Sequence, residues 1–89
     1  MNFLSRLFGK TAPAAPEPIL HKDFRIFPQP IKDGASFRIA ARLEKDIGGV
    51  VKVHQLVRAD TRSTLDEATG ASIAKAKQAI DQLGDTLFG

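Results

Sequence analysis

The chain is 89 residues long, which suits one small domain with a thin core and is too short for two. It contains no cysteine, so a disulfide framework and a thiolate zinc site are both excluded, and we expect a cytoplasmic location. Residues 19–62 hold nine Lys/Arg and five Asp/Glu, a balance of +4, whereas residues 63–89 hold two and four, a balance of −2. The basic part suits an acidic partner such as nucleic acid, anionic lipid or an acidic protein surface; the alternative is an ordinary solvated surface.

Residues 1–9 form a short amphipathic segment. Two phenylalanines and two leucines recur there at helical spacing: Phe3, Leu4, Leu7 and Phe8. This spacing predicts a short helix when the segment docks on something, but a helix of this length is marginal in water and far shorter than the roughly 20 apolar residues that span a bilayer. Three interpretations stay open: a disordered end, a segment packed on its own domain, or a segment that docks on a membrane or a protein partner.

A Pro/Ala-rich stretch separates this segment from the rest of the chain. Residues 10–18 hold three of the five prolines, which is typical of an extended linker. We therefore expect residues 19–89 to form the single α+β domain.

The first predicted strand lies within Leu20–Phe27 and is stopped by Pro28 and Pro30. Its apolar face is predicted to comprise Leu20, Phe24 and Ile26. Arg25 is predicted to point to the opposite face.

The second predicted strand, Phe37–Glu44, follows the turn signal Asp33-Gly34 and has the clearest alternation in the chain. Its apolar side chains are Phe37, Ile39, Ala41 and Leu43, and they alternate with Arg38, Ala40, Arg42 and Glu44. The pattern predicts a half-buried strand whose outer face carries two arginines.

Gly48-Gly49 predicts a tight reversal into a third strand that begins at about Val50. Its core face is predicted to be Val51, Val53, Val57 and Ala59, alternating with Lys52, His54, Leu56 and Arg58. Gln55 interrupts the apolar row, either because it lies at a sheet edge where its amide reaches water or because a bulge shifts the register. A valine-rich outer strand also invites pairing with a second copy, whereas Lys52 and Arg58 on the same strand discourage it, so a homodimer stays an open alternative.

A long helix follows. Thr64 and Glu67 match a capping box, which predicts a helix from about Leu65 to Leu83 with Gly84 as its C-cap. Its apolar stripe is predicted to be Leu65, Ala68, Ile73, Ala76, Ile80 and Leu83, with Leu87 beyond it. Gly70 costs about 1 kcal/mol relative to alanine, so either the first turns fray or this glycine allows close packing on the sheet.

These elements predict a two-layer α+β domain in the order βββα. A three-stranded antiparallel meander packs one face on the long C-terminal helix, and a short optional helix precedes it. This order contains no helix-turn-helix succession.

The outer sheet face is predicted to be basic. The candidate nucleic-acid contacts are Arg25, Arg38, Arg42, Lys52 and Arg58, with His54 as a neighbour. They would contact mainly phosphate, whereas the alternative is a solvated strand face on which Arg58 and Asp60 pair at little net energy. No nucleophile motif, phosphate loop or metal spacing accompanies the two histidines, so we expect no enzyme, no cofactor, no metal and no small-molecule substrate.

Several segments spread along the chain carry a family resemblance. They are Phe-Leu-Ser-Arg-Leu-Phe-Gly at residues 3–9, Phe24-Arg25-Ile26, Ile31-Lys32-Asp33-Gly34, Phe37-Arg38-Ile39-Ala40, His54, Arg58-Ala59-Asp60 and Ala76-Lys77-Gln78-Ala79-Ile80-Asp81. Together they resemble the small bacterial HlyU family. The resemblance implies a transcriptional activator in a bacterial cytoplasm, acting by binding DNA or a regulatory partner through the basic sheet face. The alternative is a non-catalytic adaptor that docks on a protein or membrane through residues 1–9 or an open sheet edge.

Overall fold

The computed structural model describes residues 17–89, so the predicted N-terminal helix and most of the predicted linker lie outside the described residues. The described chain forms an antiparallel sheet followed by a helix and a 3₁₀ helix. The elements are β1 Ile19–His21, β2 Phe24–Pro28, β3 Ile31–Asp33, β4 Ser36–Ile47, β5 Val50–Arg62, α1 Leu65–Leu83 and the 3₁₀ helix Gly84–Phe88. The α+β class with one C-terminal helix is confirmed. The prediction of three strands was wrong, because the sheet has five.

The first predicted strand is a hairpin of two short strands. Lys22 and Asp23 adopt positive φ angles of 50° and 69°, so the chain reverses between β1 and β2 without a glycine. The reversal places Leu20 opposite Arg25 and leaves it 73% exposed. Leu20 therefore does not belong to the core face, as predicted, because the turn comes in the middle of the predicted strand.

Strands β2 and β3 lie end to end along the same edge of β4. Pro28 is opposite Ala41 and Ile31 is opposite Arg38, so the register is continuous across the gap. Between the two strands the Gln29 amide donates to the Ala40 carbonyl at 2.9 Å. Pro28 and Pro30 flank Gln29 and therefore direct their backbone nitrogens away from β4, so pairing with β4 continues on both sides of the gap.

Strands β4 and β5 form the longest pairing, and a bulge interrupts it near its open end. Arg38 is opposite Thr61, but Ala40 is opposite Val57, so residues 58–60 of β5 lie across from one residue of β4. Gln55 lies in regular register and is exposed on this outer strand. This position agrees with the first of the two predicted explanations, a sheet edge where the Gln55 amide reaches water. The bulge lies three residues further along β5.

The register also reverses the predicted faces of β5. Leu56 lies opposite the buried Ala41 and packs against the core, whereas Val53 and Val57 are about half exposed. The predicted valine core face was therefore wrong. The physical reason is the two-residue Gly48-Gly49 turn, which fixes the pairing partners along the whole strand and hence the face that each side chain takes.

Helix α1 begins and ends as predicted. The Thr64 side chain accepts from the Glu67 amide at 3.1 Å, and the Gly84 amide donates to the Ile80 carbonyl. Gly70 is exposed, and a Cβ placed there would meet nothing within 4 Å, so close packing at Gly70 was a wrong alternative.

The buried stripe of the helix differs from the predicted one. Its members are Ala68, Ser72, Ala76 and Ile80, whereas Leu65 and Leu83 are exposed. Ser72 donates to the Ala68 carbonyl at 2.7 Å and its Oγ accepts from the Ala40 amide at 3.1 Å. The serine thus satisfies a β4 amide beside the interruption between β2 and β3. It can be buried because both of its hydrogen-bonding functions are used.

The core lies between α1 and the covered sheet face. Its buried members are Phe24, Ile26, Ala41, Leu43, Ala76 and Ile80. After the helix, the 3₁₀ turn brings Leu87 and Phe88 against this core, and the Phe88 ring stacks on Phe24 with centroids 5.6 Å apart.

Candidate interaction surface

One face of the sheet packs on α1, and across residues 17–89 no element covers the other, which we call the open face. Because residues opposite each other in the ladder point to the same face, the strand register gives its membership. The open face comprises Leu20, Arg25, Phe27, Ile31, Asp33, Ser36, Arg38, Ala40, Arg42, Glu44, Asp46, Val51, Val53, Gln55, Val57 and Thr61.

The structure brings together three of the six predicted nucleic-acid contacts. Arg25, Arg38 and Arg42 lie on the open face. Lys52 and His54 lie opposite Lys45 and Leu43, on the face that carries the helix. The expectation of one basic face with all six side chains was therefore wrong, because the same register that reverses the valines also reverses these two residues.

The sixth residue, Arg58, lies in the bulge of β5. Its Nε is 3.6 Å from a carboxylate oxygen of Asp60. This pairing is the one expected for a solvated strand face. Both side chains are partly exposed, so the pair contributes little to stability.

Arg25 joins two carboxylates across the open face. Its guanidinium donates to Asp46 at 3.1 and 3.3 Å and to Glu44 at 3.4 Å. The hydrogen bond that Arg25 donates to Asp46 is the main cause of a raised Arg25 pKa, opposed by desolvation and assisted by the charge of Asp46 and by Glu44. The arginine is held firmly in its charged form, but its charge is already matched.

Arg42 continues the same network. Its Nε lies 2.9 Å from Oε2 of Glu44 as an ion pair without hydrogen-bond geometry. Its guanidinium carbon lies 4.8 Å from the centroid of the Phe27 ring, which is a cation–π contact. Glu44 therefore bridges two arginines, and the Phe27 ring fixes where one of them lies.

Arg38 pairs with Asp33 of the neighbouring strand at 3.0 Å. With this pair, the three arginines of the open face all form ion pairs, and their partners are three carboxylates, Asp33, Glu44 and Asp46. The formal charge of the six groups sums to zero. The open face is therefore polar and electrically balanced, whereas the predicted face was basic.

The apolar part of the open face follows β5. Val51, Val53 and Val57 are 53%, 50% and 55% exposed and lie on alternate positions of one strand. Ile31 is exposed on the same face, at the far side of β4. A row of aliphatic side chains beside a balanced set of charges is typical of a protein-binding surface.

A second charged cluster ties the first hairpin to the helix. Asp81 Oδ1 accepts from His21 Nε2 and from Lys22 Nζ, each at 2.8 Å. The hydrogen bond from Lys22, followed by that from His21, holds the Asp81 pKa below its ordinary value. Because these groups join elements already packed together, we assign this cluster a structural role.

The part of the chain that the structure describes contains neither a pocket nor a group of three His, Cys, Asp or Glu side chains able to hold a metal ion. None of the described helices is long and apolar enough to cross a membrane. The docking residues expected near the N-terminus, Phe3, Leu4, Leu7 and Phe8, lie outside the described residues, and their role stays a prediction.

Sequence reasoning missed the exposed valines and the pairing of the arginines. The turn could have revealed the exposed valines, since a two-residue loop at Gly48-Gly49 places Ile47 opposite Val50 and each later pair follows by counting, whereas the arginine pairs lie on β2, β3 and β4 and do not depend on this turn. Counting in this way places Val53 opposite Glu44 and puts both outside the core.

The chain was compared with known families and proteins. The model of the HlyU family, described as "Transcriptional activator HlyU", matches residues 2–88. No curated protein and no solved structure matches the chain.

Proposed function

The chain belongs to the HlyU family, and we propose that it regulates transcription by binding a protein partner on the open face of its sheet. The family description supplies the process, transcription activation. The chemistry of the open face indicates the class of partner: a protein surface with an apolar strip beside charges of both signs.

The balance of charge on the open face supports a protein partner over DNA. A duplex presents closely spaced phosphates, so its binding face needs cations free to replace counterions. On the open face Arg25, Arg38 and Arg42 each have a carboxylate partner, and a bound duplex would meet Asp33, Glu44 and Asp46 as well. A protein surface, in contrast, gains from covering Val51, Val53 and Val57.

A genetic experiment tests this proposal. In a strain that lacks the gene, transcripts are measured after complementation with the wild-type chain, with Val53→Lys or with Ile31→Lys. Both substitutions place a charge at an exposed apolar position of the open face, on β5 and on β3 respectively. We expect both variants to lose complementation although they fold, because a buried unpaired lysine disfavours the complex.

Leu83→Lys is the matched control, because Leu83 is equally exposed but lies on the helix. It should complement as well as the wild type. Full complementation by both open-face variants would contradict the proposal.

Direct DNA contact is a second candidate, and the composition of β5 favours it. The strand carries Lys52, Arg58 and Arg62 along a sheet edge, with Asp60 as its one carboxylate. Fluorescence anisotropy of a mixed-sequence duplex at low and near-physiological salt discriminates between the two candidates. The protein-partner proposal expects at most weak, non-specific binding at low salt, which the higher salt removes because such binding depends on counterion release.

Micromolar binding that persists at near-physiological salt would support DNA contact instead. The triple variant Lys52→Ala, Arg58→Ala and Arg62→Ala should then weaken binding and flatten its salt dependence. If binding persisted unchanged in that variant, these side chains would not be the contact.

The proposed role is non-catalytic and needs no cofactor. It also implies a cytoplasmic location in a bacterial cell, where transcription takes place. The proposal therefore includes both features, and localisation of the tagged full chain by fractionation checks the second.

A further inference from the structure

Two of the outer strands of the sheet, β1 and β5, differ in how they are protected. Strand β1 has three residues and follows Pro18, so it offers little edge to another chain. Strand β5 has 13 residues, contains no proline and, among the described residues, pairs only with β4. Sheets usually blunt such edges with short strands, prolines, bulges or charged side chains; here the bulge at residues 58–60 and the side chains of Lys52, Arg58 and Arg62 do so, but residues 53–57 carry none of these devices.

The hydrogen bonds indicate which peptide groups β5 presents at its free edge. The Ala40 carbonyl accepts from Gln29 and its amide donates to Ser72, so both Ala40 groups point away from β5. Val57, which lies opposite Ala40, is therefore in a non-hydrogen-bonded pair and directs its own N–H and C=O outward. By alternation, Val51, Val53 and Gln55 do the same.

We propose that these outward groups pair with the same groups of a second copy, so that two β5 strands join antiparallel about His54. An antiparallel pair of identical strands has a two-fold axis, and each candidate axis sets a register. An axis at Gln55 would place Lys52 directly opposite the partner's Arg58, twice, which disfavours that register. An axis at His54 places Lys52 opposite the partner's Leu56 and ends the ladder where the bulge begins.

The register about His54 also satisfies the backbone. Val51 lies opposite the partner's Val57, and Val53 lies opposite the partner's Gln55, so each pair joins two residues whose peptide groups point outward. The two sheets become continuous, and the exposed valines of both open faces lie side by side. This assembly is independent of the partner proposed above, because it uses the backbone edge of β5.

Cysteine cross-linking tests the register on the full chain, which has no cysteine of its own. In the proposed dimer residue 54 lies opposite its own copy in a non-hydrogen-bonded pair, with Cβ atoms about 5 Å apart. His54→Cys should therefore oxidise to a covalent species of twice the 9.6 kDa monomer mass.

Lys52→Cys is the matched control, on the same strand and face. Its own copy is four positions away along the strand, roughly 13 Å, so it should cross-link at least ten-fold more slowly. Equal rates for the two variants would overturn the proposal. Faster cross-linking by Gln55→Cys than by His54→Cys would overturn the register.

Sedimentation equilibrium of the cysteine-free chain gives a second readout. The wild type should dimerise with a dissociation constant on the order of micromolar, since one strand pairing is a small interface. Gln55→Pro removes an outward N–H and none of the bonds to β4, so it should weaken the dimer at least ten-fold while the circular dichroism stays native. A wild-type chain that remains monomeric at several hundred micromolar would overturn the dimer, whatever the folding of the proline variant.

Discussion

The two faces of this sheet are formed by the same strands but have different roles: one forms the core and the other is exposed. On the covered face Phe24, Ile26, Ile39 and Leu43 are almost completely buried under α1 and the 3₁₀ helix. On the open face the alternate positions carry half-exposed valines and arginines paired with carboxylates. The side chains that stabilise the fold are therefore concentrated on the covered face. The side chains of the open face contribute little to stability, so they can differ according to the partner that the face binds.

The largest expected effect is a loss of stability on the covered face. Leu43 is fully buried at the centre of β4, so Leu43→Ala should lower the free energy of unfolding by about 2–5 kcal/mol. Val53→Ala, across the ladder on the open face, should change it by less than about 0.5 kcal/mol. Urea denaturation measures both, and similar losses would mean that the open face is also packed against something.

Ser72→Ala tests how the helix is attached to the covered face. The substitution leaves the buried Ala40 amide without its acceptor, so we expect a loss of about 1–3 kcal/mol. Ser63→Ala is the control, because that hydroxyl makes an exposed contact with Glu67. If Ser72→Ala proved as mild as Ser63→Ala, water would be replacing the hydroxyl and the helix would be less closely packed than it is here.

Gly70→Ala should increase stability, by about 1 kcal/mol, because Gly70 lies in the exposed side of α1 and an added Cβ meets no atom within 4 Å. Thermal unfolding followed by circular dichroism gives the midpoint. A lower midpoint would show that this part of the helix is covered, which would extend the packed region beyond the covered face.

Rules that use only neighbouring residues in the sequence predicted the helix ends and part of the covered face well. The capping residues Thr64 and Gly84, the core residues Phe24 and Ile26 and the turn at Gly34 all follow from short-range chemistry. The open face could not be predicted in the same way, because it depends on register across two strands. Valine side chains fit either face of a strand, so their pattern alone does not show which of the two alternating sets of side chains faces the core.

Ser72 shows a further limit of sequence reasoning. Its burial depends on the Ala40 amide of β4, which donates to Ser72 in the gap between β2 and β3. The helix sequence alone does not show that a β4 amide needs an acceptor at this position. The predicted apolar stripe therefore includes Ile73 and omits the buried Ser72.

A smaller effect is expected from acid. The Asp81 pKa lies below its ordinary value of 3.8, so the carboxylate contributes stability above that pH and loses the contribution as pH falls through the lowered pKa. Asp81→Asn should therefore have a slightly lower thermal unfolding midpoint than the wild type at neutral pH. Plots of the midpoint against pH for the two proteins should converge at strongly acid pH. Parallel curves would show that Lys22 and His21 do not favour the charged carboxylate.

Removal of residues 1–10 should leave stability unchanged, since the covered face is built from residues 19–88. If the Phe3–Phe8 segment docks on a membrane or protein, the truncated chain should lose that association in vesicle flotation while it keeps its unfolding midpoint. A matched Phe3→Ser, Phe8→Ser variant of full length separates the apolar contacts from the length of the chain. A fall in the midpoint on truncation would instead favour packing of the segment on its own domain. In that case the exposed valines of the open face would be the first surface to examine, because they offer it an apolar site.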